Sequence, residues 1–500
     1  MRELSKSKLL AFRQCPKRLW LEVHLPVSLE YSAATQARFQ TGHEVGEIAK
    51  RLYAPKGNGI EIDRNGESYP SSFACSAKAI VGSVPVFEAG FKAGGAQVFA
   101  DVLLPGRKAG KRVWHMVEVK STSTVKPHHH DDAAIQACVA RAAGVSLASI
   151  KVAYIDTSWV YPGGADYEGL LLEQDLTDEA FGRATEVKGW IAEAYAVVRK
   201  RKEPNVRTGA HCTEPYECAF LGHCQSQEPQ AEYPVEWLPR VTTRLLKAHL
   251  ANEGVDDLRH VPDDLLDERQ RRVKTQTLSN RVYFNAASAA AELKAHKLPA
   301  YFLDFETIST AVPLWKGTRP YQPIPFQFSV HRLSRAGTLA DTPFLDMSGK
   351  DPRRAIAEAL LAACGDRGPV FVYSAGMESG RIKYLAECFP KLRQALLSIN
   401  ARIVDLRPVA ERHYYHPIQC GKWGLKKVLP AVAPDLNHDD LDGVKDGSMA
   451  MDAYLKAIAP ETSSDDKASI RDELLSYCRM DTYAMVRLWQ FFTGRHDWQL

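Results

Sequence analysis

Alternating and continuous apolar runs divide the chain into three regions of different character. In the first, Val98–Leu104 and Val113–Lys120 read as neighbouring strands joined by a Gly/Lys-rich turn from Pro105 to Lys111. A helix is predicted over Asp131–Ala143 and another apolar run follows at Ile150–Ile155, so the order strand–strand–helix–strand indicates an α/β arrangement. The second region, residues 227–297, reads as almost wholly helical, with Leu245, Leu246, Leu250, Leu258, Leu265 and Leu266 as recurring apolar positions. The third, residues 298–500, opens with a strand at Pro299–Phe305 and carries a further apolar strand at Val370–Ser374. It closes with a long amphipathic helix from about Ser469 to Phe491. Pro229, Pro234 and Pro239 punctuate the first boundary, giving expected domains over 1–226 and 298–500 with a helical linker over 227–297. No internal repeat is visible.

A chain of 500 residues is too long for one hydrophobic core, which agrees with that division. Composition is that of an ordinary globular protein, 45% hydrophobic and 25% charged, and the net charge of +4 says little about partners. Two basic runs, Arg199-Lys200-Arg201-Lys202 and Arg269, Arg271, Arg272 with Lys274, read first as solvated helix faces. No run approaches the roughly 20 apolar residues of a membrane helix. Nothing apolar follows Met1-Arg2-Glu3, so no secretory leader is expected and the protein is expected to be cytoplasmic, with no membrane partner. Of the ten cysteines only Cys212, Cys218 and Cys224 cluster, and in a reducing compartment clustered thiols indicate metal rather than disulfides.

The first candidate constellation is Asp101, Glu118 and Lys120. Glu118 and Lys120 sit at i and i+2 on a predicted strand, so both side chains leave one face, and Asp101 on the adjacent strand can converge with them. Two carboxylates suit a hard divalent cation such as Mg²⁺ or Mn²⁺, which polarises a phosphate and activates water; a neighbouring lysine can position that water. A surface ion pair on an edge strand gives the same Glu-x-Lys pattern. The run from Ala100-Asp101 through Val117-Glu118-Val119-Lys120-Ser121 to Asp132 and Gln136 resembles the PD-(D/E)XK nucleases of the RecB/AddB branch. The resemblance implies a restriction-endonuclease-like fold and a role for Gln136 beside the active site. It also implies a metal-binding histidine near the N-terminus and a tyrosine after the glutamine. Here Gly42-His43-Glu44-Val45-Gly46 leaves His43 as a shifted candidate, Ala140 replaces the tyrosine, and Glu88 is a substitute ligand or an ordinary strand-end charge. His128-His129-His130 reads as a solvated loop or a short metal-binding tract.

The second constellation is Cys212-x5-Cys218-x5-Cys224, with Cys15 in Gln14-Cys15-Pro16-Lys17-Arg18-Leu19-Trp20 as the candidate fourth ligand. Thiolates ligate both iron–sulfur clusters and structural zinc, and His211 or His223 is the alternative fourth donor for zinc. One early and three late cysteines resemble the iron–sulfur staple of the AddB-type and CRISPR-associated RecB-like nucleases. That resemblance implies a structural 4Fe-4S cluster.

The third constellation begins at Tyr301-Phe302-Leu303-Asp304-Phe305-Glu306-Thr307, where two acids at i and i+2 project from one face of an apolar strand. Tyr477-Cys478-Arg479-Met480-Asp481 places a phenol and a carboxylate at i and i+4 on one helix face. Together they resemble the DEDD exonucleases of the ribonuclease-H-like fold, which implies two metals held by four acids and a tyrosine that orients water. The middle acid is Glu378, in Ala375-Gly376-Met377-Glu378-Ser379, with Asp405 as alternative ligand or helper. Gly421-Lys422-Trp423-Gly424-Leu425-Lys426-Lys427 reads as a surface turn or as a nucleic-acid-binding loop with a stacking aromatic.

The order of these parts is similar to a family of RecB-type nucleases whose C-terminal domain has no assigned function. The expectation is therefore a metal-dependent DNA nuclease acting on single-stranded DNA or duplex ends, with two separate sites. A non-catalytic DNA-end-binding scaffold and an RNA-directed exonuclease are the other readings these residues allow.

Overall fold

The computed structural model describes residues 3–25, 33–63, 69–436, 441 and 443–495, and it is mixed α/β throughout. The chain forms two units, Met1–Pro229 with Thr310–Gln322, and Gln230–Ser309 with Pro323–Leu500. Most of the stretch expected to be a helical linker thus belongs to the second unit. That stretch is also less regular than its leucines imply: helices Arg244–Asn252, Glu268–Ser279 and Ala286–Leu293 alternate with short 3₁₀ turns. A two-residue strand, Tyr283–Phe284, pairs with Tyr414–Tyr415. Leu246, Leu258 and Leu266 are buried, but Leu245 is 73% exposed, because adjacent residues on a helix cannot share one face.

In the first unit, strands β1 (Val86–Ala93), β2 (Ala96–Lys108), β3 (Lys111–Lys120), β4 (Leu147–Ile155) and β5 (Leu171–Asp175) lie in that order across one sheet. Two-residue strands Ile60–Glu61 and Leu4–Ser5 pair in parallel with β1 and β2. The β1–β2, β2–β3 and β4–β5 pairs are antiparallel, while β3 and β4 are parallel and need a helical crossover. Helix α1 (Lys6–Gln14) and helix α2 (Pro16–His24) precede the sheet, helix α3 (Ala33–Tyr53) follows them, and helix α4 (Pro127–Ala142) is the crossover. Helix α4 starts four residues before the expected Asp131. Pro127 takes the first helical position, where its missing N–H is no loss, and the His129 ring accepts the Lys126 N–H at 3.1 Å. Ala133, Ala134, Ala137 and Ala140 are buried on α4, small enough to let the helix lie close to Met116, Ile150 and Val152 of the sheet.

Residues 310–322 pack within this unit. Ala311 and Val312 join Val45, Ile48, Ile155 and Leu170 in one apolar cluster. The Tyr161 N–H donates to Thr318 O at 2.9 Å, and the Tyr321 hydroxyl donates to the carbonyl of Ser121, the residue after Lys120.

The second unit is built on strands β6 (Ala300–Ile308), β7 (Ile324–Leu333), β8 (Leu339–Leu345), β9 (Val370–Val372) and β10 (Ile403–Asp405), in the order β8-β7-β6-β9-β10. Strand β7 is antiparallel to both β8 and β6, and β6–β9–β10 are parallel. Helix α5 (Arg353–Cys364) and helix α6 (Gly376–Cys388) cover one face, through Ile356, Leu360, Ile382 and Leu385 against Tyr301, Leu303 and Phe305. Helix α7 (Gly447–Ile458) is followed by helix α8 (Ser464–Thr493), which covers the other face through Met485, Trp489 and Phe492 against Ala300, Phe302 and Phe371. Helix α8 is longer than the expected Ser469–Phe491 because its ends are capped. The Ser463 hydroxyl accepts the Asp466 N–H, and Gly494 adopts φ 66°, a left-handed terminator that suits glycine.

Candidate functional site

The row Phe302, Asp304, Glu306 runs along the face of β6 that α8 covers, so the strand's buried row changes from apolar to acidic as it approaches its C-terminal end. Polar latches fix where α8 lies on this sheet. Gln327, paired with Glu306, donates to Leu474 O at 2.7 Å; Ser329, paired with Asp304, lies 2.8 Å from the Thr482 hydroxyl; and His331 Nδ1 lies 2.7 Å from the same hydroxyl. That register brings Tyr477, Cys478 and Asp481 to the acidic end of the row. Asp304, Glu306 and Cys478 present ligand atoms all within 4.8 Å of one another, the one such group of three among the described residues. The Cys478 Sγ lies 3.9 Å from Asp304 Oδ2.

Electrostatics register the same convergence. Burial, then the charges of Asp481, Glu306 and Glu378, hold the Asp304 carboxyl well above the usual carboxylate range. Glu306 is pushed up to about 8 by burial and Asp481, with the Lys426 ammonium opposing. Burial and the nearby acids also raise the Tyr477 phenol, whose hydroxyl accepts from Lys426 Nζ at 3.2 Å. Buried carboxyls without balancing cations are costly, and such perturbed groups cluster at functional sites.

Glu378 stands in the first turn of α6, 4% exposed, with its carboxyl raised to about 7 by burial and by Asp405. Its Oε2 is buried and has no hydrogen-bond partner among the described residues. Asp405 is not a ligand in this arrangement. Its carboxylate accepts the N–H groups of Ser374, Ala375 and Arg407 at 3.0, 2.9 and 2.9 Å, so it braces the turn leading to Glu378. Asp405→Ala leaves those three donors unanswered and is expected to cost about 2 kcal/mol in a denaturant melt, with Asp405→Asn milder. The Gly421–Lys427 loop does not offer a stacking ring. Trp423 is buried and donates to Tyr414 O at 2.8 Å, while Gly421 (φ 71°) passes so close to the Trp237 carbonyl that any Cβ would collide with it. Only Lys426 of that loop turns to the acids.

In the first unit, Asp101 and Glu118 come together where the β2–β3 ladder ends. Pairing stops at Val102 and Val117, and Asp101 Oδ2 accepts the Val119 N–H at 2.8 Å. Across from Asp101, Glu88 has φ 55°, and there β1 reverses its faces: Phe87 packs with Val102 and Val117, whereas Ala89 packs with Ala100 on the other side. Glu118, 1% exposed, faces α4. Lys120 Nζ contacts Glu118 at 2.7 Å and Asp132 at 2.6 Å; Lys6 Nζ contacts them at 2.6 and 3.1 Å. Gln136 donates to both Glu118 and Asp132. Burial, Asp101 and Asp132 raise the Glu118 carboxyl to about 7 against the two lysines. Burial works against Asp132 too, but Lys120 and Lys6 hold its carboxyl below the usual range.

Lys6, 112 residues from Glu118, has no signal in the local sequence, and it doubles the cationic charge beside the acids. His43 is exposed on α3. The three histidines are no chelating tract either, since successive helical residues diverge by about 100°. His128 meets the Tyr216 hydroxyl at 2.9 Å, His129 is buried in the cap, and His130 meets Glu179 at 2.8 Å.

Cys15, Cys212, Cys218 and Cys224 line one small cavity, together with Leu21, Phe220, Arg18, Arg207 and His211. Cys15 joins them because Gln14 donates to His211 O and Tyr216 O, each at 2.7 Å, and Lys17 donates to Gln227 at 2.7 Å. His223, whose Nε2 meets Glu203 at 3.1 Å, is not among the residues that line this cavity, whereas His211 is. Tetrahedral zinc would draw its sulfurs to about 3.8 Å from one another. Among the described residues no three of these thiols form a group within 4.8 Å.

A family described as a domain of unknown function (DUF2779) matches residues 301–424. The match includes Asp304, Glu306 and Glu378 and stops before Tyr477 and Asp481. No curated protein matches the chain.

Proposed function

We propose that this protein is a divalent-metal-dependent nuclease acting on DNA, with a RecB-like PD-(D/E)XK first unit and a DEDD-like, ribonuclease-H-like second unit. The observation that carries the reading is the buried meeting of Asp304, Glu306 and Asp481, acids from segments about 175 residues apart in the chain. At the second site Asp304, Glu306, Asp481 and Glu378 would hold the metal. A bound Mg²⁺ or Mn²⁺ supplies Lewis acidity toward a phosphate oxygen and lowers the pKa of water. The chain's own groups do the rest. Lys426 fixes the Tyr477 hydroxyl, which stands ready to orient a water by hydrogen bonding, and the paired carboxyls give that water an acceptor for its proton.

At the first site Asp101 and Glu118 would be the metal ligands, Lys120 and Lys6 would offset negative charge on a phosphate, and Gln136 would hold the Glu118 carboxylate in place. Both Glu118 oxygens already have partners, so a metal there must compete with Lys6 and Lys120. The cysteine-lined cavity would hold a 4Fe-4S cluster in a structural role, tying helices α1 and α2 to the segment around residues 204–228. The test is cleavage of end-labelled single-stranded DNA, duplex DNA and RNA of one sequence, in Mg²⁺ or Mn²⁺ and in chelator. Metal-dependent shortening of DNA is expected. Salt-sensitive DNA binding with no cleavage in any divalent metal would replace this reading by that of an end-binding scaffold, and cleavage of RNA alone by that of a ribonuclease.

A further inference from the structure

Hard oxygen ligands alone do not describe the second site. Cys478 is fully buried and points its sulfur between the two acids of β6, 3.9 Å from Asp304 Oδ2 and 3.8 Å from Asp304 O. Two carboxylates and one thiol within 4.8 Å form a mixed donor set, and soft sulfur favours zinc over magnesium. The spacing fits such an ion. With Zn–S near 2.3 Å and Zn–O near 2.1 Å, tetrahedral geometry puts sulfur and oxygen about 3.6 Å apart. The Cys478–Asp304 pair, at 3.9 Å, is a few tenths of an ångström from that spacing, and Glu306 lies within 4.8 Å of both. A second observation points at the same place: Glu378, 4% exposed, leaves Oε2 without a hydrogen-bond partner among the described residues, and its charge is felt by Asp304.

We propose that the second site takes a thiophilic divalent ion, Zn²⁺ above all, through Asp304, Glu306 and the Cys478 thiolate. The inference rests on the reading of this cluster as a metal centre and adds a second class of ion that it takes beside Mg²⁺ or Mn²⁺. On binding, the Cys478 S–H breaks, its proton passes to solvent and the sulfur's electron pair forms the bond to zinc. No redox change is involved. Excess Zn²⁺ then competes with Mg²⁺ for the centre.

The experiment uses the full chain with its cysteine cavity filled, titrated with Zn²⁺ and separately with Mn²⁺ by calorimetry in two buffers of different ionisation heat, which reads proton release. Wild type, Cys478→Ser and Asp304→Asn are compared, so the four other clustered cysteines contribute equally to all three. Expected is one Zn²⁺ equivalent in wild type that weakens about a hundredfold in Cys478→Ser with its proton release lost, while Mn²⁺ binding is kept. Asp304→Asn should lose both ions from this centre and keep only the Mn²⁺ taken at Asp101 and Glu118. Equal Zn²⁺ affinity and proton release in wild type and Cys478→Ser would overturn the thiolate ligand while leaving an oxygen-only centre. Unchanged binding of both ions in Asp304→Asn would overturn the centre itself. Should Cys478→Ser not fold, ¹¹³Cd resonance on wild type decides: a signal between the all-oxygen and four-sulfur ranges supports the proposal, and its absence ends it.

Discussion

Asp304→Asn is expected to abolish metal-dependent DNA cleavage by the second site, by about a thousandfold or more, and at the same time to stabilise the metal-free protein at pH 8. The first effect follows from removing a ligand at the centre of the cluster: several kcal/mol of charge stabilisation goes with the metal, and each 1.36 kcal/mol is tenfold in rate. The second follows from linkage. Glu306 titrates near 8 in the fold, raised by burial and Asp481, and Asp304 lies well above its usual range. Such groups titrate near 4 when unfolded. Between those values the folded state binds more protons than the unfolded chain, so metal-free stability falls as pH rises from about 4 to 8. The amide removes one of the protons at issue and relieves the repulsion on Glu306. Metal-free thermal melts at pH 5 and pH 8 check this: wild type should melt lower at pH 8, and the gap should narrow in Asp304→Asn, by about 2–4 °C for each kcal/mol recovered in a unit of this size. Divalent metal should close the gap in wild type only. A melt independent of pH in wild type, together with unaltered cleavage in Asp304→Asn, would show that these carboxyls are neither strained nor catalytic.

Whether each part of these sites was legible depended on whether its cause is local. Asp304 with Glu306, and Glu118 with Lys120, were readable because period two on an apolar strand assigns a face without knowledge of the partner. Tyr477 and Asp481 were readable from helical spacing. Cys478 lies between them in the same pentapeptide and was passed over. Its place beside Asp304 is set by the rotation of α8, and that rotation is fixed where Leu474 and Thr482 meet Gln327, Ser329 and His331, which are distant in sequence. Lys6 was hidden for the same reason. Asp405 looked equivalent to Glu378 as an acid after a strand, yet backbone N–H groups use its oxygens. Trp423 looked like a stacking ring because a Gly/Lys-rich segment reads as exposed; its indole is instead core. The histidine tract, read as a solvated loop or a short metal-binding tract, stands instead on helix α4, where neighbours in sequence point apart. The strand–strand–helix–strand order and the long final helix, by contrast, needed only patterning, and their ends shifted where caps could extend them.

Cys218→Ser carries the other large expectation: loss of the bound cofactor and local unfolding of residues 204–228. The elements there cannot persist alone. Helix Leu221–Ser226 has six residues and the turn Ala210–Cys212 three, far below the length at which isolated helices hold in water. Hydrogen bonds from Gln14, from Lys17 and between Thr208 and Glu228 remain, but they are few and partly exposed. Burial raises the Cys218 and Cys224 thiols, as do their neighbouring cysteines, so without a cofactor these groups stay protonated and give no cross-link. The proposed inorganic core would link Cys15, at the start of α2, to the late loop through metal–sulfur bonds, and binding of this kind is folding free energy. The first unit should therefore melt at least about 10 °C lower in Cys218→Ser, at 2–4 °C per kcal/mol. Limited proteolysis should cut within 204–228, and the metal content per chain should fall. An iron–sulfur core would show visible charge-transfer absorption that vanishes in the variant, whereas zinc would be colourless. The second unit has its own core and should keep its melting transition, which makes the loss assignable to the cysteine site. Full metal content and an unshifted first transition in Cys218→Ser would mean that the four thiols line the cavity without ligating anything.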